Sequence, residues 1–319
     1  MHKYILKRLA MMFVVLIGVT FVVYFIVDKT PGDPAAMILG NAATPESIAL
    51  LHEEMGLDDP LIVRSFRYMA GVIQGDFGTS YKTKLEVGQQ IAQKLPNTIL
   101  LSFGGMVFAV VIGIPVGILC AKKQYSIFDN VAMFVTLLGT SAPAFWMGLV
   151  LIIVFSLILG WFPSASMGEG FWGVLRSLVL PAITAGASCG SVIARMTRSS
   201  MLEVLNADYI STARAKGVTE RLITMRHMFR NAMIPVVTVA GLQFGMLLGG
   251  AVMTETVFAW PGLGRYLLDA VKSKDSPAIL GSVIVISVML SIVNLLVDIL
   301  YAYIDPRIRS QYKSTRGGV

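Results

Sequence analysis

The run Gly186-Ala-Ser188-Cys-Gly190 matches G-x-S-x-G, the spacing that lifts a nucleophilic serine clear of a strand-to-helix turn in acyl-transfer enzymes. That chemistry needs a strand before the serine and a histidine within reach. Here the run is embedded in an apolar, helix-prone stretch, and the three histidines (His2, His52 and His227) lie far apart and outside the apolar runs. Gly186 and Gly190 therefore read as a small-residue packing face rather than as an elbow for a nucleophile. Asp76-Phe77-Gly78 has the letters of a kinase metal-binding motif, but the Gly-rich loop, the VAIK lysine and the HRD loop are absent. No GxxxxGK[ST] occurs, so the chain has no phosphate cradle of its own. The two cysteines, Cys120 and Cys189, lack metal-ligand spacing. With no catalytic residue, no metal site and no bound cofactor expected, any ATP-driven process needs another subunit.

The remaining candidates are ionisable or small residues in apolar surroundings. Asp298, with Asn294 four residues earlier on the same helical face, reads as an interhelical contact; one carboxylate does not make the row that a proton relay needs. In TETVFAWPGLGRYLLDAV, Glu255 stands where an apolar run ends and Trp260 suits a membrane–water interface. Pro261-Gly262 and Gly264 predict a tight turn before a short helix. The capped-loop reading competes with an outer gate in which Glu255 faces a pathway. Gly113 and Gly117, Gly186 and Gly190, and Gly241, Gly245 and Gly249 recur at four-residue spacing, which lets helices approach closely in lipid. Ordinary bundle packing accounts for this. The sharper alternative is that the last stripe slides against a partner during a conformational change.

These residues must be positioned by membrane helices. Of 319 residues, 55% are hydrophobic and only 14% charged, against roughly 25% in soluble domains. Six stretches approach or exceed the roughly 20 apolar residues that a span needs: Leu9–Val27, Thr98–Ala121, Val131–Leu159, Leu178–Ile193, Ile234–Phe258 and Ile279–Ile304. The third is long enough to tilt, and Pro143 predicts a kink in it. The first follows Lys3, Lys7 and Arg8 as a signal peptide would, but its apolar core is too long and no A-x-A site follows, so a retained anchor is expected. The net charge of +7 is read as loop charges that orient these helices, not as a nucleic-acid footprint. The segment between the fourth and fifth spans holds Arg195, Arg198, Arg214, Lys216, Arg221, Arg226 and Arg230, which places it, and both termini, in the cytoplasm.

The chain then divides into an anchor (1–28), an extracytoplasmic helical cap (29–96), a core of five spans (97–310) and a cytoplasmic tail (311–319). The cap opens with a Pro31–Pro34 turn. Thr44 followed by Pro45 predicts a helix over TPESIALLHEEMG, and a second over LIVRSFRYMAGVIQG after a DDP turn. Within the core, the elbow 199–235 is the most telling segment. Leu202, Leu205 and Tyr209, and then Leu222, Met225 and Phe229, recur at helical spacing. Gly217 lies between the two halves, where a helix–helix turn needs a left-handed residue. A positive loop explains the charge but not the periodicity; a helical knob that a soluble partner can reach explains both.

At these residues the chain resembles the dipeptide/oligopeptide ABC-transporter permease family, whose cytoplasmic signature is a variant of the EAA loop. The matching residues are Tyr209-Ile-Ser-Thr-Ala-Arg-Ala-Lys-Gly217 and Arg226-His-Met-Phe-Arg-Asn-Ala-Met-Ile-Pro235. PGDP near residue 31, GDFGTS near 75, ARMTRSSMLEVL from 194, TETVFAWPGLGR from 254 and DPRIR from 305 extend the likeness nearly end to end. Ser211 stands near where the general EAA loop carries an acidic residue, so the match is to the peptide-type subfamily. The resemblance implies an all-α integral membrane protein with six transmembrane helices in the type I ABC importer permease fold. It also implies a homologous second permease as heterodimer partner, two cytoplasmic ABC ATPases that hold ATP and Mg, and an extracytoplasmic substrate-binding protein that meets the cap. Tyr209, Ala213, Arg214, Ala215, Lys216, Gly217, Arg226 and Arg230 would couple to the ATPases; Glu255, Trp260, Gly241, Gly245 and Gly249 would line the pathway or gate. The cargo would be di- or oligopeptides, with nickel chelates or glutathione as alternatives because the family imports those too. A secondary transporter, an intramembrane enzyme and a docking scaffold are the rivals from other classes. The first predicts an inverted repeat that the sequence lacks.

Overall fold

The structure, a computed structural model, describes residues 2–29, 33–40 and 43–304. Among these, regular structure is helical apart from one antiparallel bridge between Thr79 and Glu86. The helices are α1 His2–Asp28, α2 Pro34–Leu39, α3 Pro45–Met55, α4 Leu61–Ile73, α5 Val87–Lys122, α6 Ile127–Ser141 and α7 Ala144–Leu151. They continue with α8 Gly170–Leu205, α9 Asp208–Ala215, α10 Glu220–Leu222, α11 Phe229–Val257, α12 Leu263–Lys272 and α13 Ser276–Ile304. Wide π-type turns follow α7 over Ile152–Ile158 and α10 over Ile223–Met228. Among the described residues, five helices are long and apolar enough to cross a bilayer, or six if the bent α6–α7 pair counts as one span.

Helix ends and apolar runs do not coincide. α5 and α8 each have 36 residues, about 54 Å at 1.5 Å per residue, against a hydrocarbon core of roughly 30 Å. Hydropathy marks only the stretch that lipid tolerates, so α5 begins before Thr98 and α8 extends on both sides of Leu178–Ile193. The largest departure from the sequence reading is the third stretch. In place of one tilted, kinked span, α6 and α7 meet at 110°. Pro143 has no N–H to give and pushes Ala142 out of the helical region (φ −71°, ψ 130°), which ends α6 outright.

By contacts the chain forms two compact units. The first comprises Met1–Ile99 and Ala259–Ser291. In it, α1 packs on α4 through the Arg64–Asp28 ion pair (2.7 Å), Arg64 over the Tyr24 ring, and tilted Tyr24 and Tyr68 rings. Asp33 caps α2 by accepting from the Ala35 N–H; Thr44 and Ser47 form the reciprocal cap of α3, and left-handed Gly56 (φ 60°) ends it. Pro31 and Gly32 of the expected opening turn lie outside the described residues, as does Asp305-Pro-Arg307-Ile-Arg309. Buried Asp275 holds the 80–83 turn: the Ser80 hydroxyl and the Tyr81 N–H (3.0 Å) donate to its carboxylate. Val87, Ile91, Leu263, Ala270 and Ala278 form the core beside it.

His52 gives this unit a pH-dependent contact. Nε2 stands 2.8 Å from Asp33 and Nδ1 3.4 Å from Asp58. The hydrogen bond to Asp33, opposed by partial burial and helped by Asp58, raises the His52 pKa above its ordinary 6.5. A raised histidine pKa means the stabilisation is complete below about 6.5 and is lost as pH rises through the folded value. Hydrogen exchange in α2 and α3, corrected for the intrinsic rate, should accelerate as pH rises above the ordinary histidine value of 6.5. The pH dependence should vanish in His52→Gln.

The second unit comprises Leu100–Phe258 and Ile292–Val319. Its centre is the close pairing of α5 and α8. A Cβ on Gly113 would come within 2.7 Å of the Gly190 carbonyl oxygen, one on Gly117 within 2.5 Å of that of Ala194, and one on Gly186 would fall onto that of Gly105. The small-residue reading of these positions holds: backbone meets backbone where they lack side chains. Ala109, Cys189, Ile193, Val236 and Leu247 complete a core shared with α11.

Candidate functional site: the elbow between α8 and α11

α8 runs on past its apolar stretch to Leu205 and stops at Asn206. α9 then starts with Asp208 in its first turn and carries Arg214 in its last, both signs matched to the helix dipole. The Lys216 N–H donates to Thr212 and the Gly217 N–H to Arg214, which closes the helix end. Gly217 has φ +78°, the left-handed conformation expected from its position. A Cβ there would meet nothing within 4 Å, so glycine is required by the backbone and not by crowding. Beyond the turn, Glu220 accepts from Arg214 Nε (2.6 Å) and Nη2 (3.3 Å), bridging both sides of Gly217. This pairing raises the Arg214 pKa and lowers that of Glu220. Both side chains are open to solvent, so the pair sets geometry more than stability.

Under the turn lies an apolar core of Ala121, Met201, Ile210, Ile223, Met228 and Ala232. The elbow is therefore two amphipathic halves seated on the ends of α5 and α8, as its periodicity implies. The apolar faces differ from the sequence reading by one position: Ile210 and Ile223 are buried, whereas Tyr209 is 45% and Leu222 46% exposed. Tyr209 instead accepts a hydrogen bond from Asn231 at 3.1 Å, tying α9 to α11. Arg214, Ala215, Lys216, Gly217 and Arg230 are exposed. Ala213 and Arg226 are placed by their backbones; their side chains lie outside the described ones. The result is a solvent-facing turn, braced by the Arg214–Glu220 pair and presenting Arg214 and Lys216, a form suited to docking.

A buried ion pair anchors α6 beside this knob. Arg198 donates from Nε and Nη2 to Asp129, both at 2.7 Å, and Asp129 also accepts from the Tyr125 N–H. Sequence reading passed over Asp129. The only local signal was Ser126, which caps α6 three residues before it; the partner is 69 positions away.

The pathway candidates are divided between the two units. Glu255 is fully buried within the second unit, and Trp260 belongs to the first. Trp260 is not at an exposed interface: it is fully buried and its indole N–H donates to the Asn97 carbonyl at 2.9 Å. A buried indole must find an acceptor, and the Asn97 side-chain amide also donates to the Pro261 carbonyl, so the loop is pinned to α5 about three turns into that helix. The Gly262 turn and short α12 follow as expected. Gly241 abuts the Val297 side chain, Gly245 is buried and Gly249 faces open space, so the stripe is only partly a packing surface. Asp298 and Asn294 are both half-buried on α13.

A family model described as binding-protein-dependent transport system inner membrane component matches residues 113–310, the stretch that contains the elbow. A second, for the N-terminal part of such membrane components, matches residues 1–102. The chain belongs to this family. The permease is 42% identical to the dipeptide transport system permease protein DppB of Alkalihalophilus pseudofirmus, covering 97% of this chain and 100% of that one. It is 45% identical to the glutathione transport system permease protein GsiC of Salmonella paratyphi A and 41% to DppB of Escherichia coli K12, each covering 97% of this chain and 99% of the relative. The fold of the permease is also that of an inward-facing MetNI methionine ABC transporter structure (TM-score 0.57, 20% identity, 68% of this chain and 97% of that one). An amino acid ABC transporter crystallised with histidines is similar too (TM-score 0.52, 16% identity, 67% and 94%). The permease is thus a multi-pass, all-α membrane subunit of a binding-protein-dependent ABC importer, a transport component and not an enzyme. Ser188, the would-be nucleophile, sits mid-helix in α8, with Gly186 and Gly190 packed on α5.

Proposed function

We propose that this permease forms half of a translocation pathway for small peptides and is driven through its α9–α10 turn by cytoplasmic ATPases. The observation that carries the reading is the pairing of near-full-length identity to dipeptide and glutathione permeases with an exposed, structurally braced turn at Arg214–Gly217. A dipeptide and glutathione share a short amide backbone and charged ends, so one pathway chemistry serves both. A homologous second permease supplies the other half of the pathway, and the binding protein delivers cargo at the segment that follows α1. The elbow and both termini face the cytoplasm; Ala215, Lys216 and Gly217 enter the ATPase surface, with Arg214 held in place by Glu220. Nucleotide binding then favours one permease geometry and hydrolysis releases it, because only a partner that interacts differently with two states shifts their balance. Glu255 and the Gly241–Gly249 stripe are the residues of this chain through which such a shift would reach the pathway.

The turn can be located directly. Cys120 and Cys189 are buried, so a thiol reagent should reach Lys216→Cys in preference to them. In membranes holding the whole transporter, that cysteine should cross-link to the ATPase and resist an impermeant thiol reagent applied to intact cells. Labelling from outside the cell would place the turn on the wrong face and end the proposal.

A further inference from the structure

In the second unit, α5, α6, α7 and α8 border a groove of about 510 Å³, walled by residues such as Ile112, Val116, Val135, Leu138, Trp146 and Ala194. Its wall also contains two hydroxyls, and both are spent on their own helices: Thr136 donates to the Met133 carbonyl (2.8 Å) and Ser191 to that of Ala187 (2.9 Å). A peptide lying here would lose its hydration for no more than the two hydroxyl oxygens as acceptors in return. The groove is built for hydrocarbon.

Arg195 stands at its edge. It follows Ala194 on α8, and its Nη1 reaches the Thr136 carbonyl (3.4 Å) and the Thr140 hydroxyl (3.1 Å). One turn on, Arg198 occupies both oxygens of Asp129. Among the described residues, then, the Arg195 hydrogen bonds go to neutral oxygens while the neighbouring carboxylate is already matched. Arg195 lies two residues beyond the apolar stretch Leu178–Ile193, where a helix leaves the lipid and a basic side chain meets headgroups. The adjoining α5–α6 turn adds exposed Lys122 and Lys123, together with Tyr125 and Ile127 at 80% and 84% exposure. Basic side chains, an exposed tyrosine and an apolar slot are the combination that holds an anionic headgroup with its tail.

We propose that the groove binds an anionic phospholipid, with one acyl chain between α6 and α8 and the headgroup phosphate on Arg195. The site goes beyond cargo transport: it makes the α6–α8 packing responsive to the lipid around it. The test is native mass spectrometry of the delipidated, assembled transporter titrated in detergent with phosphatidylglycerol or phosphatidylethanolamine. Phosphatidylglycerol should bind one per permease and the more tightly of the two. Arg195→Gln should weaken it about fivefold, the factor for roughly 1 kcal/mol per basic residue at an anionic lipid surface, and weaken phosphatidylethanolamine less, because its ammonium offsets the phosphate charge. Ala132→Phe, which fills the groove, should weaken both lipids about tenfold, the loss of roughly two buried methylenes. Equal binding of the two lipids by the unaltered protein, a comparison that needs no variant to fold, would overturn the proposal. So would wild-type phosphatidylglycerol affinity in Arg195→Gln. An Ala132→Cys that is shielded and cross-linked only when the second permease is present would also overturn it, and would give the groove to a protein interface.

Discussion

Replacing Gly217 by valine is expected to abolish ATP-driven uptake while the protein still inserts and accumulates in the membrane. The residue sits at φ +78° with open space where a Cβ would be. The penalty therefore arises in the backbone alone, and for a β-branched residue it exceeds the roughly 1–2 kcal/mol of an ordinary L-residue in this region. That is enough to shift the equilibrium away from the native turn by about tenfold or more. The buried Ile210–Ile223–Met228 core beneath it is untouched, so folding survives and docking geometry does not. Gly217→Asn separates the two effects, because asparagine tolerates the left-handed region. Its uptake should stay near normal. Uptake assayed in vesicles at matched expression decides the matter: a valine variant that transports as well as the parent would remove the turn from the coupling path.

Gly186→Leu is expected to strike the fold itself. A side chain at this position falls onto the Gly105 carbonyl oxygen, and backbone cannot swing aside as a rotamer would. Separating α5 from α8 also disturbs the Gly113–Gly190 and Gly117–Ala194 approaches along the same seam. Overpacking of this kind costs about 1–3 kcal/mol, sometimes more. The yield of monodisperse protein and its thermal midpoint in detergent should both fall. Ser188→Leu, two residues away and exposed on α8, is the control and should change neither. Ser188→Ala should transport normally, which no serine hydrolase would do. Equal behaviour of the leucine variants at 186 and 188 would mean that the glycine seam carries no packing.

What the sequence made legible was whatever is decided locally. Thr44–Pro45, Gly56 and Gly217 announce caps and turns because their conformational demands travel with the residue. The apolar runs announce spans because lipid sets their length. The elbow announced itself by helical period, but its phase was misjudged: Tyr209 and Leu222 looked apolar enough to be inside, while the structure buries Ile210 and Ile223 and uses the Tyr209 hydroxyl to accept from Asn231. An amphipathic segment of two short helices leaves the phase open by one residue, and only the opposing surface fixes it. Pro143 was visible as a kink, yet a 110° turn depends on what α7 meets on its far side, including the Phe258 and Val257 side chains near Gly148. Long-range polar pairs were out of reach altogether. Asp129 and Arg198 are 69 positions apart, and Ser80 and Asp275 are 195; the sequence around one member of a pair says nothing of the other. Trp260 illustrates the same limit: beside Pro261 it reads as an interfacial anchor, and only the Asn97 carbonyl opposite explains its burial.

The most direct measurement is uptake of a labelled dipeptide into liposomes that hold this permease with the proposed second permease and ATPases, compared with liposomes that hold this permease alone. Concentrative uptake should appear only in the complete assembly with binding protein and ATP, and should disappear on ATPase omission. Uphill accumulation by this chain alone would contradict the view that it works only when moved by nucleotide-binding partners.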